Sequence, residues 1–339
     1  MNLSEKIGQK TCLTIITCKF DNKNKNSEYY KNYNIIRVKH PFYISSAIKA
    51  AKLKPDLIIF GTGISELWLL LATSIVFQCF NIIFSYSYSS RKPRYLLYQF
   101  VDLNYKNSFL AKYVCRIFEK VICTNNSLYR FYLKHNKKKE KGFYLPPGVD
   151  LLKFYNAKSE INKKIRIGFF GHLNYNKGSD ILLNAFLKLN NDNIELFLAG
   201  LGNLEKGLKE RSSKHKNIII KGYIENIEQV IASCDLLVFP YRYSEKILGL
   251  SLSAIEGLAM GKPLIVSNNN CLRDLVEHGK NGYIFNNEKE LINYLKEITK
   301  NRNNIIKFGL ESEKKSREFD ISMICDKLIN LFLKNESRK

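Results

Sequence analysis

The sequence predicts an α/β protein made of two doubly wound, parallel-sheet domains. Apolar runs of strand length alternate with longer helix-type segments along the whole chain, a pattern typical of parallel α/β folds. A length of 339 residues suits two domains of about 150 residues each better than one core. A charged, proline-containing stretch at residues 137–164 separates the two halves.

The apolar runs give the predicted elements in order. We expect helices at residues 43–53 and 95–119, and a helical pattern over residues 305–334. The resulting domains are residues 1–150, residues 151–318 and a C-terminal helix within 319–339. The predicted strands lie near residues 12–18, 34–38, 56–60, 81–85 and 120–124 in the first half, and 165–170, 194–199, 217–220, 235–239, 263–266 and 282–285 in the second.

Residues 67–84 form the most apolar segment of the first half. A membrane-spanning helix needs about 20 apolar residues with few polar interruptions. This run is interrupted by Thr73, Ser74, Gln78 and Asn81, so we interpret it as a buried helix to about residue 79, followed by a strand.

Charge and cysteine content limit the partners and the compartment. The net charge is +23, and residues 1–160 hold 26 basic against 10 acidic residues, compared with 28 against 21 in the rest. This excess indicates either an anionic membrane surface or a general lysine bias of exposed positions. Nucleic acid is disfavoured because no binding motif is recognisable.

The eight cysteines lack metal-type spacing, and no secretory signal opens the sequence, so we expect a cytoplasmic protein with buried thiols.

The segment from Gly171 to Gly178 is the first candidate site. A strand runs into a glycine turn, Lys177 and then a helix. Backbone amides of such a turn, with the lysine, can face a diphosphate, although a purely structural turn has the same pattern. Two later turns, Gly200-Leu201-Gly202 and Gly222-Tyr223-Ile224, are also ambiguous. For the first turn a structural role is favoured. The second turn is either structural or a contact of Tyr223 and Ile224 with a nucleobase.

Residues 240–251 and the helix after them form the second candidate site. Small residues, including Gly249 and Ser251, precede a nearly all-apolar helix that carries Glu256. Backbone amides at a helix N-terminus bind anions, and a carboxylate one turn further can accept hydrogen bonds from a ribose diol. No Asp-x-Asp motif occurs in the chain, so the usual carboxylate pair for a metal on the diphosphate is missing. We therefore expect neither a metal nor a cofactor.

In this order the motifs resemble the family-four group of GT-B glycosyltransferases. The resemblance covers residues 143–285 and rests on the ordered set rather than on any one motif. The motifs are Pro147-Gly148-Val149-Asp150 with Phe154, Gly171 with Lys177-Gly178, Gly200-Leu201-Gly202, Gly222, Pro240, Glu256 with Gly261-Lys262-Pro263, and Gly279-Lys280-Asn281-Gly282.

The resemblance implies a GT-B fold, in which two Rossmann-like domains face each other across a cleft, and a C-terminal helix that crosses back to the first domain. It also implies metal-free, retaining transfer of a sugar from a nucleotide diphosphate sugar. By resemblance, Lys177 holds the diphosphate, Glu256 the ribose, and the backbone of Gly249, Leu250 and Ser251 the phosphates, beside Gly171 and His172.

Two departures from the family pattern bear on the site. His172 stands where the family usually has an arginine. The family also places seven residues between two glutamates, but that spacing back from Glu256 falls on Leu248, and Glu245 is the nearest acid. Glu245 therefore becomes a candidate catalytic residue with Lys177 and Glu256.

The sequence thus predicts a glycosyltransferase that acts on a glycan or lipid-linked acceptor. If the basic excess reflects membrane binding, we expect the protein at the inner face of the cytoplasmic membrane. Two alternatives stay open. One is a family member that binds a nucleotide sugar or glycan without turnover, and the other is a nucleotide-sugar epimerase of the same fold.

Overall fold

A computed structural model describes residues 14–18, 27–30, 33–38, 57–63, 94–101, 120–155, 163–242 and 250–333. The chain divides into two compact units. Unit 1 comprises residues up to 148 together with those from 322 onward, and unit 2 comprises residues 149–321.

Unit 2 contains a parallel sheet of six described strands. Their order across the sheet is β10-β9-β8-β11-β12-β13, and every pairing is parallel. These strands confirm all six predicted for the second half: β8 Ile165–Phe170, β9 Ile194–Ala199, β10 Ile218–Lys221, β11 Leu236–Phe239, β12 Leu264–Ser267 and β13 Gly282–Phe285.

Helices connect these strands and cover the sheet. Several begin at an asparagine or serine whose side-chain oxygen accepts a hydrogen bond from a backbone amide of the first turn, as Asn287 does from Glu290. Such caps satisfy amide groups that have no partner within the helix. The helices of unit 2 are α2 Leu151–Tyr155, α3 Ser179–Leu189, α4 Glu205–Ser212, α5 Ile227–Ala232, α6 Leu252–Ala259, α7 Glu288–Thr299 and α8 Arg302–Ser316.

The central strands of unit 2 are buried on both faces, as expected when helices cover a parallel sheet. All four residues of β11 and the apolar residues of β8 have essentially no exposed surface. β8 and β11 are neighbours in the sheet, although two strands, β9 and β10, and the helices α3, α4 and α5 lie between them in the chain. The connection after β8 leaves to one side and that after β11 to the other, so the carboxyl ends of these two strands flank the topological switch point, where ligands of such sheets bind.

The described part of unit 1 contains two further sheets. In one, β4 Leu57–Gly63, β5 Arg94–Val101, β6 Lys120–Cys123 and β7 Gly142–Tyr144 pair in parallel in that order. In the other, β1 Thr14–Cys18 pairs in parallel with β3 Tyr33–Val38, and β2 Ser27–Tyr30 pairs with β3 in the antiparallel direction. The sequence analysis did not anticipate β2.

One helix predicted in unit 1 is wrong at its start. Residues 94–101 form strand β5, whereas a helix was expected over residues 95–119. The run contains tyrosine, phenylalanine and valine, which favour a pleated strand, and it pairs with β4 on one side and β6 on the other.

The helical pattern of residues 305–334 is confirmed as two helices rather than one. Helix α8 ends at Ser316, a short 3-10 turn spans Arg317–Phe319, and α9 spans Ile321–Leu333. Unit 1 also contains α1, Asn126–His135. The lysine side chain at the start of β6, Lys120, donates to the carbonyl of Leu331 in α9.

Three sequence interpretations fall outside the described residues. They are the helix expected at residues 43–53, the apolar segment 67–84 and the strand expected near residues 81–85. Among the residues that the structure does describe, none of the helices has the length and apolar character needed to cross a membrane.

Candidate functional site

The loops after β8 and β11 meet at the carboxyl edge of the unit 2 sheet. Gly178 ends the β8 loop with a φ of +70°, in the left-handed region that favours glycine. A Cβ atom at this position would lie 1.9 Å from the carbonyl oxygen of Pro240, which begins the β11 loop. At this point the backbones of the two loops are in direct contact.

The turn around Gly171 is packed against the next loop in the same way. The Gly171 amide donates to the carbonyl of Ala199 at 3.0 Å, and a Cβ atom on Gly200 would lie 1.9 Å from the Gly171 oxygen. This close approach explains the glycine at position 200 structurally, as the sequence analysis favoured. It also means that the Gly171 amide is already engaged by the protein.

Lys177 lies in a 3-10 turn that its neighbours hold tightly. The side-chain oxygen of Asn174 accepts a hydrogen bond from the Lys177 amide at 3.0 Å, which fixes the start of the turn. The Lys177 ammonium lies 3.8 Å from the centre of the Tyr241 ring, a cation–π contact between the β8 and β11 loops.

Burial determines the protonation of Lys177. Loss of hydration lowers the pKa of Lys177 to about 8, a decrease that the nearby Cys271 partly opposes. The ammonium is therefore charged at neutral pH, but it is incompletely solvated. An anion placed beside it would replace the missing hydration and restore a higher pKa.

The N-terminus of α6 is connected to this lysine through Tyr241. The Tyr241 hydroxyl donates to the Oγ of Ser251 at 3.0 Å, and Ser251 in turn caps α6 by accepting from the Ala254 amide. Ser253 donates to the carbonyl of Phe170 at the end of β8. Tyr241 therefore contacts both the lysine and the helix cap, and it links a positive side chain to the positive end of a helix dipole.

Glu256 lies one turn into α6, half-buried, with different neighbours. Burial raises the pKa of Glu256; the nearby Lys153 opposes this increase and Glu228 adds to it. Lys153 and Glu228 form an ion pair of 3.1 Å. Lys177 and Glu256 thus belong to the same unit, but they lie in separate local clusters, one formed by strand-end loops and the other by α2, α5 and α6.

The other predicted site residues are placed as follows. His172 and Tyr223 are exposed, the latter by 78%, and Ile224 is half-buried and packs against the core. Leu250 and Ser251 are buried. Their backbone can therefore contact a ligand only where the chain enters α6. Glu245 and Gly249 lie outside the described residues.

The sequence analysis gave no role to three residues that the structure places beside Lys177: Tyr241, Arg242 and Cys271. Tyr241 and Arg242 directly follow Pro240, in the segment already chosen for its position after a strand. Their position directly after a predicted strand was the sequence feature that could have identified them as site residues. Cys271 follows β12, the next strand across the sheet, and carried no comparable signal.

Together, these groups suit an anion with two centres of charge. A partly desolvated ammonium and a set of helix N-terminal amides lie on one edge of the sheet, and they are joined by Tyr241. Fixed dipoles of this kind stabilise charge that develops during a reaction, because they need not reorganise.

Comparisons with known proteins identify relatives of the segment that contains these groups. Residues 164–301 match the family model described as glycosyl transferases group 1. An uncharacterized glycosyltransferase of Methanocaldococcus jannaschii is 29% identical over 121 residues, which cover 34% of this chain and 30% of that relative. The chain thus aligns with about a third of the length of that relative.

Two solved structures resemble the whole chain. Sucrose-phosphate synthase from Thermosynechococcus elongatus has a TM-score of 0.77 at 17% identity, and the match covers 99% of this chain and 92% of that one. The HepE protein of Anabaena, in complex with UDP and glucose, has a TM-score of 0.72 at 15% identity, and the match covers 89% and 86%. These likenesses establish the GT-B fold that the sequence predicts, and residues 164–301 match the model of the group 1 glycosyl transferases.

Proposed function

We propose that the protein is a retaining glycosyltransferase that moves a sugar from a nucleotide diphosphate sugar to a glycan or lipid-linked acceptor, in the synthesis of a polysaccharide or glycolipid. The observation that carries this proposal is the partly desolvated ammonium of Lys177, which Tyr241 links to the N-terminus of α6. Both lie at the carboxyl edge of the unit 2 sheet, near its topological switch point, and within the segment that matches the group 1 family model.

In the proposed reaction the bond between the anomeric carbon and the diphosphate oxygen breaks, and the acceptor hydroxyl forms a new bond on the same face. Negative charge accumulates on the departing diphosphate. Lys177 and the α6 amides stabilise that charge, and the acceptor proton passes to the departing oxygen. Glu256 accepts hydrogen bonds from the donor ribose, and Glu245 contributes to the donor-sugar side of the site.

Uridine diphosphate is the first nucleotide to test, because HepE was solved with UDP and also with UDP-glucose. A ligand that binds only the folded protein raises its melting temperature. We would therefore compare the thermal shifts that UDP and GDP produce, and use the nucleotide with the larger shift in later measurements.

Substitution of Lys177 tests the proposal directly. We expect Lys177→Met to lower nucleotide affinity, donor hydrolysis and sugar transfer together by about a hundredfold or more, since one charge-stabilising donor is worth about 10²–10³-fold. Lys188→Met is the matched control, because Lys188 is an exposed lysine at the end of the following helix, paired with Glu288. Wild-type turnover in the Lys177 variant would refute the phosphate assignment.

Binding without turnover is the alternative that one observation favours. His172 occupies the place of the usual family arginine, and it is exposed. A panel of nucleotide sugars, followed for release of free nucleotide diphosphate, separates the two functions. Binding with no release in the presence or absence of acceptors would favour the non-catalytic protein.

We also propose that unit 1 rests on an anionic membrane surface. Lys134, Lys137, Lys138 and Lys139 are all exposed at and just after the end of α1, and basic residues near such a surface contribute about 1 kcal/mol each. Sedimentation with phosphatidylglycerol vesicles is expected to exceed that with phosphatidylcholine vesicles and to decrease with salt. Equal binding to both would contradict the proposal.

A further inference from the structure

Arg242 contacts the turn that carries Lys177 through both its backbone and its side chain. Its amide donates to the carbonyl of Asn176 at 2.9 Å. Its guanidinium donates to the carbonyl of Tyr175 and lies 3.8 Å from the centre of the Tyr175 ring. The two residues that immediately precede Lys177 are thus both held by Arg242.

The same guanidinium also holds the helix that follows the turn. Its two terminal nitrogens donate to the two carboxylate oxygens of Asp180, at 2.8 and 2.6 Å. Asp180 lies in the first turn of α3. A bidentate pair of this kind fixes orientation as well as distance. Arg242 therefore connects both ends of the segment in which Lys177 lies.

Arg242 is itself anchored from the far side. The side-chain amide of Asn269, in the loop after β12, donates to the Arg242 carbonyl at 3.2 Å. Ser267 donates to the carbonyl of the preceding residue, Tyr241, at 2.6 Å. The β11 loop is thereby tied to the β12 loop, and it provides a fixed base for the lysine turn.

We propose that Arg242 is a positioning residue for the donor site, which holds the Tyr175–Lys177 turn against α3 so that the Lys177 ammonium stays over Tyr241 and faces the diphosphate. This rests on the proposed function. Arg242 acts through Lys177, because its guanidinium donates to Asp180 and Tyr175 and stacks on the Tyr175 ring. It therefore does not replace the family arginine whose place His172 occupies.

The pH dependence of nucleotide binding can report the position of Lys177. Among the described residues, the titratable groups facing its ammonium are Tyr241 and Cys271, and burial raises the pKa of each to about 12. Both are therefore neutral near pH 8, where Lys177 itself titrates. Asp180 and Arg242 remain charged throughout, since their pair lowers the pKa of Asp180 against the opposing effect of burial and raises that of Arg242.

The test uses the full chain with Arg242→Gln and, from the other partner, Asp180→Asn. We expect nucleotide affinity at pH 7 to fall about tenfold or more, since a misplaced group can lose up to about a hundredfold. We also expect the alkaline midpoint of binding to move upward by about one pH unit, because a released Lys177 regains water and with it a higher pKa. Arg242→Lys keeps a charge and is expected to be intermediate.

Arg302→Gln is the matched control. Arg302 also pairs with an aspartate, Asp235, at 3.0 Å, but that pair lies at the amino end of β11, on the opposite edge of the sheet. It is expected to change the melting temperature without changing nucleotide affinity or the alkaline midpoint.

The outcomes distinguish the inference from the function on which it rests. Unchanged affinity and an unchanged midpoint in folded Arg242→Gln and Asp180→Asn proteins would overturn the role of Arg242, while Lys177→Met still loses binding. Wild-type affinity in Lys177→Met itself would instead overturn the proposed function. If the Gln variant does not fold, Asp180→Asn and Arg242→Lys carry the same comparison.

Discussion

Lys177 shows how a single residue can be suited to an anionic ligand while its charged form is destabilised in the ligand-free protein. A lysine with an ordinary environment has a pKa near 10.5, whereas burial lowers that of Lys177 to about 8. One pKa unit corresponds to about 1.4 kcal/mol, so its charged form is destabilised by an amount on the order of 1–3 kcal/mol, reduced by the part of the side chain that water still reaches.

Nucleotide binding is therefore expected to weaken above pH 8. In the proposed site the charged lysine attracts the diphosphate, and deprotonation removes that attraction. The diphosphate is fully ionised there, because its last phosphate pKa is about 6. Titration calorimetry from pH 6.5 to 10 is expected to show constant affinity below pH 8 and a progressive fall above it. Affinity that stays constant to pH 10 would contradict the assignment.

The residues of the candidate site were only partly predictable from sequence. Local sequence motifs were enough to predict Lys177, Ser251 and Glu256, since each lies near the end of a strand or in the first turns of a helix. The pair of Arg242 and Asp180 joins residues 62 positions apart, and nothing in either local sequence specifies the other. Such a contact is decided by the order of strands in the sheet.

At the scale of elements, the site depends on loops that approach more closely than side chains would permit. The β8 and β11 loops belong to adjacent strands, and Gly178 lets their backbones meet. The strands themselves were predictable in unit 2 because buried parallel strands are continuous apolar runs. The helix expected over residues 95–119 was wrong at its start, where residues 94–101 form β5; this strand depends on its pairing with β4 and β6 as well as on its own residues.

Gly178→Ala is expected to destabilise the protein by about 2 kcal/mol or more and to weaken nucleotide binding. An added Cβ would meet the Pro240 oxygen at 1.9 Å, and the positive φ strains any residue with a side chain. Chemical denaturation measures the stability, and thermal shift with the nucleotide measures the site.

Gly207→Ala is the control for that substitution. Gly207 lies exposed within α4, and a Cβ there would have no atom within 4 Å. Replacement of a glycine in a helix interior by alanine stabilises by about 0.5–1 kcal/mol. Equal destabilisation by the two substitutions would show that the contact at Gly178 is unimportant.

At the scale of the whole molecule, the chain forms two units, and its last helix belongs by its contacts to the first of them. Ile324, Cys325 and Leu328 on α9 are almost fully buried, although they follow the end of unit 2 in sequence. The organisation into two α/β units was predictable from length and apolar periodicity. The unit that a terminal helix joins depends on packing between residues far apart in the chain.

Leu328→Ala is expected to destabilise unit 1 by about 2–5 kcal/mol, the usual range for a buried leucine. Hydrogen exchange is expected to rise in β6, α1 and α9, while the strands of unit 2 keep their protection. Leu310→Ala is the control, since Leu310 on α8 is 58% exposed and its loss is expected to change stability by less than about 0.5 kcal/mol. Uniformly increased exchange through unit 2 would contradict the assignment of α9.

The lysine that stacks on Tyr241 also makes ligand capture a proton-coupled event. At pH 8 to 9 a fraction of the empty molecules lacks the ammonium proton, so arrival of the dianionic group draws hydrogen ions from the medium. The heat recorded in a calorimeter then varies with the ionisation enthalpy of the chosen buffer. The heats measured in phosphate and in Tris at the same pH are expected to differ by the number of protons taken up multiplied by the difference between the ionisation enthalpies of the two buffers, and that difference disappears in the methionine variant.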